Sequence, residues 1–211
     1  MIEQGSEEWK AQRIGKVTAS RVADVIAKTK SGYSTSRANY LAELVAERLT
    51  NVPAESYQNG AMLWGTNTEP QARAAFEFFR DTEVALCGFI DHPSIAMSGA
   101  SPDGLIGADG LIEIKCPNTA THIDTLLGKT VPAKYMTQMQ WQMACTGAKY
   151  CEFVSFDPRM PEHLRLFVGR VERDDAVIAS LEKEVTIFLG EVLSQINSLE
   201  GLYGQGIKAA A

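Results

Sequence analysis

Nowhere in the 211 residues do the roughly 20 consecutive apolar residues of a membrane-spanning helix occur, and Met1-Ile-Glu-Gln-Gly-Ser-Glu-Glu8 lacks the basic-then-apolar layout of a secretory signal. A membrane role is thereby disfavoured and a cytoplasmic location expected. Cysteine is scarce. Cys87, Cys116, Cys145 and Cys151 include no C-x₂-C pair and sit among apolar neighbours, which disfavours a zinc or iron–sulfur centre and points to buried free thiols in a reducing compartment. The three histidines, His92, His122 and His163, show no ligand spacing; solvated or locally hydrogen-bonded rings are expected, with no assigned role. No Lys-Ser/Thr follows the glycines of 104–110, so they form no phosphate-cradling loop. Repeats, low-complexity tracts and dividing linkers are also missing, so one domain over 1–211 is expected, with a tail from about 201.

Composition is that of a globular protein, with 45% hydrophobic and 22% charged residues. A net charge of −6 disfavours nucleic acid as a partner, but the charge is unevenly spread. Between Trp9 and Tyr40 seven basic residues (Lys10, Arg13, Lys16, Arg21, Lys28, Lys30 and Arg37) face one acid, Asp24, a local +6 that leaves −12 elsewhere. Such a segment on an acidic body can grip phosphates locally, or it can be a set of solvated helix faces.

Periodicity predicts short helices over 6–12 and 19–28, the second entered through Thr18 or Ser20, then a basic loop over 28–34 and a helix over 35–49 with a Leu41, Leu44, Val45, Leu49 stripe. After a loop over 51–56, a helix is expected from Asn67 or Thr68 to Arg80, with Pro70 in its first turn, Glu69 at its start, where the helix dipole favours a carboxylate, and Ala72, Ala75, Phe76 and Phe79 buried. Strand-like segments follow at 82–90, 95–100, 103–106 and 111–115. Helices over 119–127 and 132–145 come next, the latter with Tyr135, Gln138 and Gln142 on one face and Met136, Met139, Gln140 and Met143 on another. Strands at 150–156 and 164–171 flank Asp157-Pro-Arg159, and a long helix runs from Asp174 to about Ser198. This order describes an α/β (α+β) sandwich, a mixed central sheet flanked by helices.

The stretch Ser101 to Lys115 concentrates the chemistry. Asp109-Gly110 offers the positive φ angles of a tight hairpin, which would set residues near 103 opposite residues near 113. Glu113 and Lys115 would then share one face of a strand while Ile112 and Ile114 enter the core. Two carboxylates with hard oxygen donors suit Mg²⁺ or Mn²⁺ better than zinc, and a neighbouring lysine completes what metal-assisted phosphodiester hydrolysis requires. The alternative is a set of solvated strand charges.

Pro102-Asp103, nine residues, then Glu113-Ile-Lys115 resembles the PD-(D/E)xK signature of restriction-endonuclease-like nucleases. The ordered series Trp9, Arg13-Ile-Gly, Thr18-Ala-Ser20, Trp64-Gly, Glu69, Ser101-Pro-Asp-Gly-Leu, Lys115-Cys-Pro117, Tyr135-Met-x-Gln138 and Asp157-Pro-Arg-Met160 resembles the phage lambda exonuclease and YqaJ-type viral recombinase family over roughly 2–190. The resemblance implies a Mg²⁺-dependent (or Mn²⁺-dependent) exonuclease that degrades the 5′ strand of double-stranded DNA and leaves a 3′ overhang for recombination by strand annealing. It implies metal ligation by Asp103, Glu113, the Ile114 carbonyl and Glu69, and catalytic roles for Lys115, Glu69 and Gln138. It further implies a 5′-phosphate pocket of Arg13, Ser20, Ser101 and Gln138, an apolar wedge at Met62 and a DNA contact at Lys30. Family members form ring-shaped homotrimers beside a single-strand annealing protein, in the cytoplasm of a bacterial host. An endonuclease or resolvase of the same fold, and an inactive DNA-end-binding protein, are the competing readings.

Overall fold

The computed structural model describes residues 2–54 and 60–204. Helix α1 (Glu7–Arg13) is opened by Ser6, whose Oγ accepts from the Trp9 amide at 3.2 Å. Strand β1 (Val17–Thr18) leads into a 3₁₀ turn over 19–21 and a short α2 (Val22–Ile26). Neither Thr18 nor Ser20 caps these helices with its side chain. The stretch expected to be a basic loop is a small hairpin, β2 (Lys28–Thr29) with β3 (Gly32–Tyr33), and α3 (Thr35–Thr50) follows. On α3, Tyr40, Leu44 and Val45 are buried, whereas Leu49 is exposed because Arg37 and Glu47 take up the rest of the inner face.

Helix α4 (Gly60–Arg80) begins well before the expected Asn67 or Thr68. Trp64, Thr68, Ala72 and Phe76 recur every four residues and form one inward stripe, so the apolar face continues through the presumed cap. Pro70 therefore lies inside the helix and Glu69 is not at its start. Thr66, whose carbonyl Pro70 cannot serve, is exposed, so water is at hand. Phe79 is exposed, with Arg80 over its ring at 5.5 Å.

Of the strand expected over 82–90, residues 82–89 make only the isolated Ala85–Leu105 bridge before β4 (Ile90–Asp91); the Val84 amide is taken instead by Glu77 Oε1 at 2.8 Å. Then come β5 (Ser98–Ala100), β6 (Gly104–Ile106), β7 (Gly110–Lys115), α5 (Thr119–Gly128), a 3₁₀ turn over 133–135, α6 (Met136–Thr146), β8 (Tyr150–Phe156), β9 (Leu166–Glu172) and α7 (Asp175–Tyr203). Asp174 caps α7 by accepting from the Ala176 and Val177 amides. The tail expected from about 201 is thus helical to Tyr203. Residues 205–211, like Glu55 and Ser56 of the 51–56 loop, lie outside the described residues.

The main sheet has the order β6-β7-β8-β9, with β7 and β8 parallel and the outer pairs antiparallel; a second sheet has the order β1-β5-β4. Period-2 alternation divides β7. Ile112 and Ile114 pack with Ala72 and Phe76 of α4, while Leu111 lies with Met139 and Met143 of α6 on the other side. Both faces are therefore covered. A third cluster joins α2, α3 and α7 around Trp141, Tyr40 and Phe188.

The hairpin register pairs Gly104 with Ile112 and Ile106 with Gly110, so residue 103 falls opposite 113 as expected. The positive φ, however, belongs to Gly107 (57°) and not to Asp109-Gly110. Gly110 meets a different demand, since a Cβ there would lie 2.4 Å from the Tyr150 ring. The four cysteines are buried free thiols. His163 is exposed, but His92 and His122 are buried rather than solvated, His92 with local hydrogen bonds from the Ser94 and Ile95 amides and His122 bonded across the fold to Ser155 Oγ and the Leu164 carbonyl. Among the described residues no helix is long and apolar enough to cross a membrane.

Candidate active site

Asp103 stands just before β6, and its Oδ2 accepts from the Ile114 amide at 2.6 Å, which locks it to the end of the neighbouring strand. Glu113, on the α6 side of β7, is wholly buried. Its Oε1 accepts from Gln138 Nε2 at 2.7 Å and pairs with the Lys115 ammonium; its Oε2 accepts from Gln142 Nε2 at 2.6 Å. Lys115 keeps 29% of its side chain exposed and lies 5.4 Å over the Tyr135 ring. Glu69 comes from α4 into electrostatic reach of Lys115 and Glu113, with Arg73 at 3.4 Å.

Asp103, Glu113 and Lys115 thus meet around β7 with Glu69 in electrostatic reach, and their charges are felt mutually. Burial pushes the Asp103 carboxyl well above the usual range, with Glu113 and Glu69 adding to the rise; Lys115 and the Ile114 amide work against it. Glu69 is also raised, by burial first and then Glu113, against Arg73 and Lys115. For Lys115, burial acts to lower the pKa, but Glu113 and Asp103 together outweigh it and the net direction is up, so its ammonium is kept.

Among the described residues, no group of three or more His, Cys, Asp or Glu side chains is by itself arranged to hold a metal ion. The donor chemistry nonetheless fits one hard divalent cation. Asp103 Oδ1 accepts no hydrogen bond from the described residues, and the burial that raises Asp103 and Glu69, with Glu113 adding to both, is a cost that such a cation would relieve.

The four residues expected to form a phosphate pocket are brought together unevenly. Arg13 lies 3.8 Å over the Trp9 ring, and Trp9 Nε1 donates to Ser101 Oγ at 2.9 Å, so Arg13 and Ser101 are joined through a tryptophan to which no role had been given. Arg13 forms no ion pair among the described residues, and burial lowers its pKa against the pull of Tyr40 and Glu47. Ser20 is 3.4 Å from Thr18 Oγ1, on a turn packed against β5 and α6. Gln138 is committed to Glu113, and no hydrogen bond among the described residues joins it or Ser20 to Arg13.

The basic segment is largely neutralised by pairing. Lys10 pairs with Glu7, Lys16 with Asp91, Arg21 with Asp24 and Glu43, Lys28 with Glu184 and Arg37 with Glu191. Among the described residues Arg13 and Lys30 remain outside ion pairs, Lys30 exposed in the turn between β2 and β3. Met62 is 51% exposed on α4, two turns before Glu69. Sequence reasoning assigns no role to Gln142, although its spacing of four from Gln138 places it on the same helix face.

Residues 8–149 match the YqaJ-like viral recombinase domain. The structure superposes on LHK-Exo, an alkaline exonuclease from Laribacter hongkongensis, with TM-score 0.89 and 50% identity, covering 95% of this chain and 99% of that one. The structure of LHK-Exo in complex with dAMP gives the same values. A phage-related exonuclease from Haemophilus somnus 129PT shares the fold, with TM-score 0.68 and 17% identity over 86% of this chain and 96% of that one. None of the curated protein sequences matches the chain.

Proposed function

The chain belongs to the YqaJ-like viral recombinase domain family, and from that premise we propose that it is a Mg²⁺-dependent exonuclease, one nuclease domain that degrades the 5′ strand of double-stranded DNA from an end and leaves a 3′ single-stranded overhang for annealing. The observation that carries this reading is the convergence of Asp103 and Glu113 beside Lys115, with Glu69 in electrostatic reach and a single lysine among three carboxylates. Asp103, Glu113, the Ile114 carbonyl and Glu69 would hold the cation. When bound, it supplies positive charge against the developing charge on the phosphate and acidifies a water.

The remaining work falls to the side chains. Lys115 keeps its proton and reaches the opening of the site, where it stabilises charge on the phosphate under attack. Gln138 holds Glu113 Oε1. Arg13, whose guanidinium is in no ion pair among the described residues, and Ser101 would take the terminal 5′-phosphate with Ser20 and Gln138 completing the shell, while Met62 would part the end and Lys30 touch the duplex. The working assembly in this reading is a ring-shaped homotrimer that passes the exposed strand to an annealing protein in the bacterial cytoplasm.

Linear duplex labelled at either 5′ or 3′ ends, incubated with and without Mg²⁺ beside covalently closed duplex, tests the proposal. Stepwise release of the 5′ label from linear DNA alone, dependent on Mg²⁺, is expected. Cutting of closed duplex would favour an endonuclease of the same fold. Binding of ends without hydrolysis would favour an inactive end-binding protein, a reading already opposed by the presence of Asp103, Glu113 and Lys115 together.

A further inference from the structure

Helix α6 is buried on nearly every side, since all residues from Met139 to Cys145 are inside. Two glutamines stand in that interior and are used differently. Gln140 satisfies both ends of its amide: Nε2 donates to the Glu172 carbonyl at 2.8 Å and Oε1 accepts from the Asp174 amide at 2.9 Å, a latch between α6 and the start of α7. Gln142, wholly buried, donates to Glu113 Oε2 at 2.6 Å, and its own Oε1 has no hydrogen-bond partner among the described residues. A buried acceptor without a donor costs stability, and an apolar side chain of the same length would avoid that cost. The amide cannot turn to relieve it, because Oε1 would then face the carboxylate. Its geometry therefore serves Glu113 and not the helix.

The two oxygens of Glu113 are also unlike. Oε1 lies with Gln138 and with Lys115, which is partly exposed; Oε2 meets the fully buried Gln142. We infer that Gln142 is a positioning residue that anchors Glu113 through Oε2, leaving Oε1 as the oxygen that exchanges its donors for a divalent cation. The inference rests on the reading of Glu113 as a metal ligand. Outer partners of this kind typically change metal affinity about 10- to 100-fold when removed.

Calorimetric titration of the whole chain with Mn²⁺, without DNA, tests it on Gln142→Met and Gln142→Ala, with Gln140→Met and Glu113→Gln as comparisons. Both Gln142 variants should bind Mn²⁺ about 10- to 100-fold more weakly. Their kcat should fall and partly recover at higher Mn²⁺, with KM for duplex DNA unchanged. Gln140→Met should melt earlier yet bind Mn²⁺ as the parent does, which separates positioning from general support of the helix. If a folded Gln142 variant keeps the parent's Mn²⁺ affinity while Glu113→Gln loses it, the inference is overturned and the metal site stands. If Glu113→Gln also binds Mn²⁺ like the parent, the metal reading itself fails.

Discussion

Lys115→Met retains an unbranched stem and removes the ammonium from a site where three carboxylates depend on it. Glu113 is wholly buried and touches Lys115 directly, and Asp103 and Glu69 are both held down in part by the same charge. Removing one partner of a buried ion pair costs about 3–5 kcal/mol, and since Lys115 keeps 29% of its side chain exposed, solvent screening brings the expected loss to about 2–4 kcal/mol. For 211 residues, a melting entropy of about 2.1 cal/mol/K per residue converts this to a fall in Tm of roughly 5–9 °C. Scanning calorimetry in EDTA would read it. Added Mg²⁺ should shrink the difference, because a cation between the carboxylates replaces part of the lost charge, while hydrolysis should stay at least about a hundredfold below the parent. A variant as stable as the parent in EDTA would refute the electrostatic account of the site.

Linear duplex bearing a 5′-phosphate should be degraded about 10- to 100-fold faster than the same duplex with a 5′-hydroxyl, and Arg13→Ala should narrow that ratio; equal rates in the parent would remove the pocket. Met62→Ala should slow digestion of blunt duplex more than of duplex with frayed ends, and equal slowing on both would leave Met62 without a wedge role. Asp157 is fully buried; burial alone would raise its pKa, but Arg159 and Thr119 hold it down to about 2. It therefore contributes about 2 kcal/mol that is fully present above roughly pH 4 and lost as the pH falls through about 2, so the urea-stability gap between Asp157→Asn and the parent should close on acidification. A gap independent of pH contradicts the assignment. Gly110→Ala should cost about 1–3 kcal/mol through collision with the Tyr150 ring, and a Tyr150→Ala background should relieve it.

What the sequence determined by itself was local. Alternation placed Ile112 and Ile114 on one face of a strand and Glu113 on the other, the glycine-containing turn over 107–110 set residue 103 opposite 113, and the ordered motifs identified the family, because strand and helix periods and short loops act between residues close along the chain. The start of α4 was misread for a local reason as well: Asn67 and Thr68 carry a capping signal, but the Trp64-to-Phe76 stripe buries against the sheet and tertiary packing overrides it. The closure of α6 over Glu113 was settled only in three dimensions, and with it the commitment of Gln138 and Gln142 to opposite oxygens of one carboxylate. So was the pairing of five basic residues with acids that include Glu184 and Glu191 of α7, which left Arg13 and Lys30 of that +6 segment outside ion pairs among the described residues. The physical reason is common to both. A side chain's partner and burial depend on segments more than a hundred residues away in places, and Coulomb and desolvation energies are fixed by distance in space rather than along the chain.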